Sequence, residues 1–185
     1  MSMLSPDIVV GDTRGWLERA VIGLNLCPFA KAVHVKGQVH YAVSHATDPH
    51  ELLGELAAEL EALIALDAAV RETTLLIVPV GLEDFLEFND FVAKAERLIR
   101  KRRLDGVVQV ASFHPLYRFE GSSQDDMANF TNRSPYPTLH LLRESSIDRA
   151  VEAFPQAETI YEANILALRA LGLAGWQALD VGPST

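Results

Sequence analysis

The chain has 185 residues, of which 49% are hydrophobic and 22% are charged, and its formal net charge is −9 at pH 7. These proportions exclude a disordered chain, and the length suits a single globular domain spanning residues 1–185. The acidic balance argues against a nucleic-acid binder or an anionic-membrane binder, because both partners require a positive protein surface.

Signals for membrane insertion or export are missing from the sequence. The longest apolar runs, such as residues 75–80, fall well short of the roughly 20 residues that a membrane helix needs. The N-terminus has no basic start and no continuous apolar stretch, so no secretory signal is predicted. The only cysteine, Cys27, excludes an internal disulfide and a multi-cysteine zinc site. We therefore expect a cytoplasmic protein.

The first half of the chain is predicted to alternate helices and strands. Residues 13–26 carry an apolar stripe at helical spacing, and Pro28 ends that helix. Residues 34–44 alternate apolar and polar side chains, which predicts a half-exposed strand. Asp48, Pro49 and Glu51 form the N-terminal cap of a helix that runs to residue 66. The apolar run at 73–80 predicts a central strand that is covered on both faces.

The second half contains a long irregular segment between two strands. Apolar residues recur every three or four positions from 82 to 103, which predicts another long helix. Residues 106–113 and 136–142 are predicted strands, and one helical turn is expected near residues 125–130 of the loop between them. A short helix capped by Ser146 should stop before Pro155, and a last helix should span 158–171 and end at Gly172. So long a loop in a compact domain is more often functional than decorative.

This order of elements predicts an α/β (α+β) fold. We expect a mixed sheet of about four strands with helices packed on it. The strand, helix, strand segments imply two right-handed crossovers between parallel strands. A ferredoxin-like arrangement is the leading specific expectation.

Three stretches of the sequence resemble a known family. They are VIGLNLCPFAK at 21–31, SFHPLYRF at 112–119 and NRSPYPTLHLLRE at 132–144. Together they are similar to an uncharacterised bacterial family, number 1415 among the domains of unknown function, and the similarity covers most of the chain. The resemblance implies membership of that family but supplies no reaction and no catalytic residues.

Cys27 follows the first predicted helix, in the stretch LNLCPFA. The C-terminal end of a helix carries a partial negative charge that opposes formation of a thiolate. A buried structural cysteine is therefore the favoured interpretation. A catalytic nucleophile stays open as an alternative if the fold brings a cationic side chain such as Lys31, His114 or Arg118 beside the sulfur.

His114 and His140 are the candidate catalytic histidines because both border the long loop. If their strands are neighbours, the two rings can meet, and one of them can act as a general acid or base because imidazole titrates near neutral pH. The favoured alternative for His140 is a half-buried, hydrogen-bonded side chain. The six histidines form no HExxH motif and no close HxH pair, so no metal site is predicted.

Cationic and aromatic side chains around the long loop are candidates for binding a ligand. Arginine holds carboxylate or phosphate in a bidentate fork, so a group of arginines beside tyrosines predicts an anion pocket. The alternative is an internal salt-bridge network with acidic neighbours such as Glu120 and Glu144. The candidate side chains are Tyr117, Arg118, Arg133, Tyr136, Arg143 and Lys31.

Three hypotheses about function follow. The first is a small-molecule enzyme or ligand-binding protein with an anion-recognising pocket at the strand ends near the 114–135 loop. The second is a non-catalytic interaction or regulatory module that uses the same loop as a partner surface. The third is an enzyme in which Cys27 is the nucleophile and His114 its base. The sequence identifies no cofactor and no oligomeric state.

Overall fold

The computed structural model describes residues 4–154, 156 and 159–184. Helix α1 (Pro6–Trp16) continues into a π-helical segment (Leu17–Ile22), and the short helix α2 (Ala30–Val35) follows. The next elements are β1 (Val39–Val43), α3 (Pro49–Ala65), β2 (Thr73–Ile77), α4 (Phe85–Lys101) and β3 (Val108–Phe113). A 3₁₀ helix (Met127–Asn132), β4 (Thr138–Arg143), α5 (Glu144–Ala153) and α6 (Ile160–Ala178) complete the order.

The four strands form one mixed sheet in the order β1-β2-β4-β3. Strands β1 and β2 are parallel, whereas β4 is antiparallel to both of its neighbours, β2 and β3. Strands β2 and β3 therefore run in the same direction, with β4 inserted between them. The α/β class, the four strands and the two connections between parallel strands agree with the prediction.

Helices cover both faces of the sheet. Successive strand residues point to opposite sides, and apolar side chains on each side pack against a helix. On one face, called the α3–α4 face below, Leu76, Leu139 and Leu141 pack against apolar residues of α3 and α4 such as Leu60 and Phe88. On the other, called the α1 face, Leu75 and Ile77 pack with Val9 of α1. The ring of Trp16 lies 5.2 Å from the ring of Phe113 on the same face.

Helices α3 and α4 were both predicted, α3 from its cap and apolar spacing and α4 from apolar spacing alone, and the structure shows an aspartate N-cap on each. The Asp48 side chain accepts hydrogen bonds from the backbone N–H groups of His50 and Glu51 at 2.7 and 2.9 Å. Asp84 caps α4 in the same way, accepting from Leu86 and Glu87 at 2.8 and 3.0 Å. These contacts satisfy backbone donors that have no partner inside a helix.

Several predicted boundaries were wrong; α5, for example, begins at Glu144, so Ser146 lies inside this helix and does not cap it. The first helix begins at Pro6, not at residue 13, because Ser5 and Pro6 supply a cap and a first-turn proline. The predicted strand at 34–44 is only Val39–Val43, since residues 34 and 35 complete α2, and Gly37 then takes a left-handed conformation with φ +67°. The last helix continues through a kink at Gly172 (φ 66°) to Ala178, and its predicted first residue, 158, lies outside the described residues.

Candidate functional site

A cleft of about 560 Å³ lies beside the long loop. One wall is the first turn of α4, and the other is the loop segment that follows His114. This cleft lies where the sequence predicted a pocket, after the end of β3. Its lining residues are Phe85, Leu86, Asn89, Tyr117, Arg118, Phe119, Glu120, Gly121 and Ser122.

A chain of aromatic rings runs from the core through this cleft to the surface. It begins at Phe88, which is fully buried, and ends at Tyr161 of α6, which is 52% exposed. Tilted or edge-to-face pairs of rings stabilise a fold by more than the burial of their surface alone. The centroid distances are 5.0 Å for Phe88–His114, 5.3 Å for His114–Phe85, 5.2 Å for Phe85–Tyr117, 5.1 Å for Tyr117–Phe119 and 5.8 Å for Phe119–Tyr161.

His114 lies beneath the cleft and is fully buried. Its Nε2 lies 2.9 Å from the carbonyl oxygen of Leu82, and its Nδ1 accepts a hydrogen bond from the Leu116 backbone N–H at 3.0 Å. These partners fix a neutral ring that carries its proton on Nε2. Burial lowers the pKa of His114 below its usual value, although the hydrogen bond to Leu82 opposes this. Both ring nitrogens are occupied, so the ring holds the loop against the start of α4.

Arg118 is the cation of the cleft. Its side chain is exposed, and among the described residues it forms no ion pair and no hydrogen bond. The neighbouring Glu120 also lines the cleft. A guanidinium with all its donors unoccupied, next to aromatic walls, is suited to bind a carboxylate or phosphate group.

Asn129 shapes the loop that forms the outer wall, and sequence reasoning missed it. Its side chain is fully buried in the 3₁₀ helix. Its Oδ1 accepts from the Phe119 N–H at 3.0 Å and the Ser122 hydroxyl at 2.8 Å, and its Nδ2 donates to the Ser123 carbonyl at 2.8 Å. One amide thus holds the segment around Gly121 in place. An asparagine inside a loop gives no sequence signal for such a role, because most of its partners are backbone groups.

Arg133 supports the same loop instead of facing the cleft. Its guanidinium donates to the carbonyl oxygens of Tyr117 and Gln124 at 3.3 and 2.8 Å and lies 4.1 Å over the ring of Phe130. Burial lowers the pKa of Arg133, and the negative charge of Asp125 opposes this. The alternative of a salt-bridge network does not describe Arg133, because its hydrogen-bond partners are neutral carbonyl groups.

His140 lies on the opposite side of the sheet from His114. It projects from the α1 face, between Leu75 and Ala111 on the adjacent strands. The Thr73 hydroxyl donates to the Leu141 carbonyl at 2.7 Å and lies 2.6 Å from His140 Nε2. A hydroxyl has one proton, so the Thr73 oxygen accepts a hydrogen bond from Nε2–H of His140. Burial lowers the pKa of His140 to about 4. The two candidate histidines therefore do not share a site.

Arg143 fastens the C-terminal end of α3 to the sheet. Its guanidinium donates to the carbonyl oxygens of Leu63, Leu66 and Arg71, at 2.7 Å for Leu66 and 3.0 Å for Arg71. The last carbonyl groups of a helix lack partners inside the helix and carry a partial negative charge, which a cation stabilises. The side chain is thus a structural cap, at the end of the sheet away from the cleft.

Replacing Arg143 by methionine should therefore destabilise the protein by about 2–3 kcal/mol, because backbone carbonyl groups lose charged hydrogen-bond donors. Arg143→Lys should recover only part of this loss, since an ammonium group cannot span the same carbonyl groups as a planar fork. Urea unfolding monitored by circular dichroism measures both changes. Equal stability of Arg143→Met and the unmodified protein would contradict the capping role.

The remaining predicted residues lie away from the cleft. Tyr136 is buried and donates to Asp12 Oδ2 at 2.6 Å. Cys27 is partly buried in an apolar cluster with Trp16 on the α1 face, and Lys31 is exposed on α2. Since His114 lies on the α3–α4 side with both nitrogens occupied, the structure does not bring it to Cys27. Of the predicted residues, the cleft contains Tyr117 and Arg118.

The family assignment rests on most of the chain. The model of a family described as "Protein of unknown function (DUF1415)" matches residues 8–178. The chain belongs to this family. The match runs from within α1 to the end of α6 and includes the residues that line the cleft. No curated protein and no solved structure matches the chain.

Two further findings concern metal ions and membranes. Within residues 4–154, 156 and 159–184, no three histidine, cysteine, aspartate or glutamate side chains are grouped so that they can hold a metal ion. No helix in this described part is both long enough and apolar enough to cross a membrane.

Proposed function

We propose that the protein binds a small anionic molecule with a planar apolar group in the cleft between α4 and the long loop. The observation that supports this most is Arg118, an exposed cation without a partner among the described residues, at a concave surface lined by aromatic rings. Ligand sites are typically concave and largely apolar, with a few polar groups that fix orientation.

The walls and the cation have separate roles in this proposal. The exposed parts of Phe85, Tyr117 and Phe119 offer surfaces on which a ring can pack. Arg118 offers a fork of N–H donors for a carboxylate or phosphate group, and the Asn89 amide is an additional polar group on the α4 side. The buried contacts of Asn129 and Arg133 hold the loop before any ligand arrives, which lowers the entropy lost on binding.

Binding, instead of catalysis, is the favoured activity. His114 underlies the cleft, but a general base needs a free nitrogen within reach of its substrate, and both nitrogens of this ring are engaged. We also infer a cytoplasmic location and a partner other than nucleic acid. The single cysteine supports the first inference, and the net charge of −9 supports the second.

Arg118→Met should lower the affinity for phenyl phosphate by about 10- to 100-fold, because charge-assisted hydrogen bonds are lost. Phenyl phosphate is the probe because it combines a ring with an anionic group. At about ten times its dissociation constant it should stabilise the unmodified protein by about 1.4 kcal/mol, a rise in melting temperature of roughly 3–6 °C. Differential scanning fluorimetry and calorimetric titration measure these effects.

Matched controls separate the cleft from general charge effects. Arg97 is exposed on α4 outside the cleft, so Arg97→Met should leave binding unchanged. Glu120→Gln should strengthen binding, because it removes a like charge from the cleft. Phenol and inorganic phosphate, each carrying half of the probe, should bind more weakly than phenyl phosphate. Equal losses in Arg97→Met and Arg118→Met would contradict the proposal.

An interaction surface is the competing candidate, and one observation favours it. Leu86, which lines the cleft, and Leu116, which precedes Tyr117 in the chain, are 70% and 53% exposed, and exposed large apolar side chains can mark an interaction surface. Leu116 does not line the cleft, so Leu116→Ser should leave binding of phenyl phosphate intact. Two results together would favour an interaction surface. Phenyl phosphate would bind neither the unmodified protein nor Leu116→Ser, and Leu116→Ser would weaken self-association or the capture of another protein.

A further inference from the structure

A second cavity lies on the α1 face at the edge strand β1, on the other side of the sheet from the cleft. Its volume is about 380 Å³. The end of α1, the π-helical segment, α2 and β1 all contribute to it. Its lining residues are Arg14, Glu18, His34, Gly37, Val39 and Tyr41.

Two residues of opposite charge, Arg14 and Glu18, line this cavity without pairing with each other. Arg14 and Glu18 are four residues apart, a spacing at which opposite charges on a regular α-helix can pair. Among the described residues, however, Arg14 forms no ion pair, and its guanidinium carbon lies 5.4 Å over the ring of Tyr41. Glu18 Oε1 lies instead 3.1 Å from His34 Nε2. The π-helical segment begins at Leu17, so Glu18 lies in a stretch with wider turns than a regular α-helix.

Tyr41 adds an unsatisfied polar group to the same cavity. Its hydroxyl oxygen is buried and has no hydrogen-bond partner in the described part of the chain. Burial raises the pKa of Tyr41, so the hydroxyl stays protonated and able to donate. A buried hydroxyl without a partner is unfavourable, and a ligand that accepts its proton removes that penalty. The exposed Arg14 side chain lies next to the ring of Tyr41.

We propose that this cavity binds a small zwitterion, with its carboxylate between Arg14 and the Tyr41 hydroxyl and its ammonium group at Glu18. Glu18 repels a ligand that carries only a negative charge, and Arg14 repels a ligand that carries only a positive charge. A molecule with both charges satisfies both walls. One oxygen of Glu18 faces His34, which leaves its second oxygen for the ammonium group. This site is independent of the proposed function of the cleft.

The test is a titration of amide NMR shifts with glycine, 4-aminobutyrate and 6-aminohexanoate, which differ in charge separation. At least one of them should shift the amides of Gly37 and Val39 with a dissociation constant of about 1 mM or tighter. Acetate and methylammonium should bind about tenfold more weakly or worse, since each loses one charge contact. Arg14→Met and Glu18→Gln should each weaken binding of the zwitterion by about tenfold.

Two further variants make the outcome decisive. Tyr41→Phe should weaken zwitterion binding yet raise the melting temperature, because it removes a buried hydroxyl that is unpaired without ligand. Arg19 belongs to the same helical segment but pairs with Asp180 outside the cavity, so Arg19→Met should leave binding unchanged. The absence of saturable shifts with every zwitterion up to about 10 mM would overturn the proposal. Acetate binding as tightly as the zwitterions, unaffected by Glu18→Gln, would overturn it equally.

Discussion

Replacing His114 by leucine is expected to lower the free energy of unfolding by about 3–5 kcal/mol. The ring is fully buried, and its two nitrogens are the partners of the Leu82 carbonyl and the Leu116 N–H. Leucine leaves both backbone groups without a partner, and each loss is costly in a buried position. Urea unfolding followed by circular dichroism gives the free energy, and the slope of the transition checks two-state behaviour.

Conservative variants at the same position divide this effect into its two hydrogen bonds. An asparagine oxygen can replace Nδ1 as the acceptor for Leu116, and a glutamine amide can replace Nε2 as the donor to Leu82. His114→Asn and His114→Gln should therefore each be less destabilising than His114→Leu. His50 is exposed, so His50→Leu should change stability by less than about 0.5 kcal/mol. A His114→Leu protein as stable as the His50 variant would show that these hydrogen bonds contribute little.

The second large effect is a loss of stability in mild acid that depends on His140. Its pKa is about 4 in the folded protein, below the value of 6.5 for an unperturbed histidine. The unfolded chain therefore binds more protons than the folded protein between these two values. The contribution of His140 is fully present above pH 6.5 and is lost as the pH falls toward 4. Between pH 7.5 and 5 this loss should be about 2 kcal/mol.

The pH range separates this effect from that of the carboxylates. Asp12, Asp48, Glu51 and Asp126 have lowered pKa values, so their contributions fall mainly below about pH 5. His114 has a lowered pKa as well and adds to the loss with the same sign. His140→Gln keeps an N–H donor toward Thr73 but does not titrate, so its stability should depend less steeply on pH. Identical pH dependence of the variant and the unmodified protein would contradict the neutral, buried ring.

Much of the fold could be predicted because its signals are local. Helices α3 and α4 have both an acidic cap and regular apolar spacing, and β2 is a short apolar run that the structure buries completely. Ser5 and Pro6 cap α1 as Asp48 and Pro49 cap α3, whereas the apolar stripe placed the start of α1 at residue 13. The predicted strand at 34–44 began too early, because His34 and Val35 belong to a short helix before Gly37.

The sequence predicts a pocket beside the long irregular loop after β3. A cleft is present beside this loop, and its role as a binding site stays a prediction. The partners of individual side chains are set by contacts between distant parts of the chain, which spacing does not reveal. Arg143 reaches carbonyl groups 72 to 80 residues earlier in the chain. His114 and His140 border the same loop, yet one packs against α4 and the other projects from the α1 face.

The most direct test of the proposed function is an amide NMR titration with phenyl phosphate, because it identifies the residues that bind as well as the affinity. Saturable shifts should appear at Asn89 of α4 and at residues 118–122 of the loop, and they should disappear in Arg118→Met. Shifts confined to other surfaces, or shifts at the cleft that survive in Arg118→Met, would contradict an anion site at Arg118.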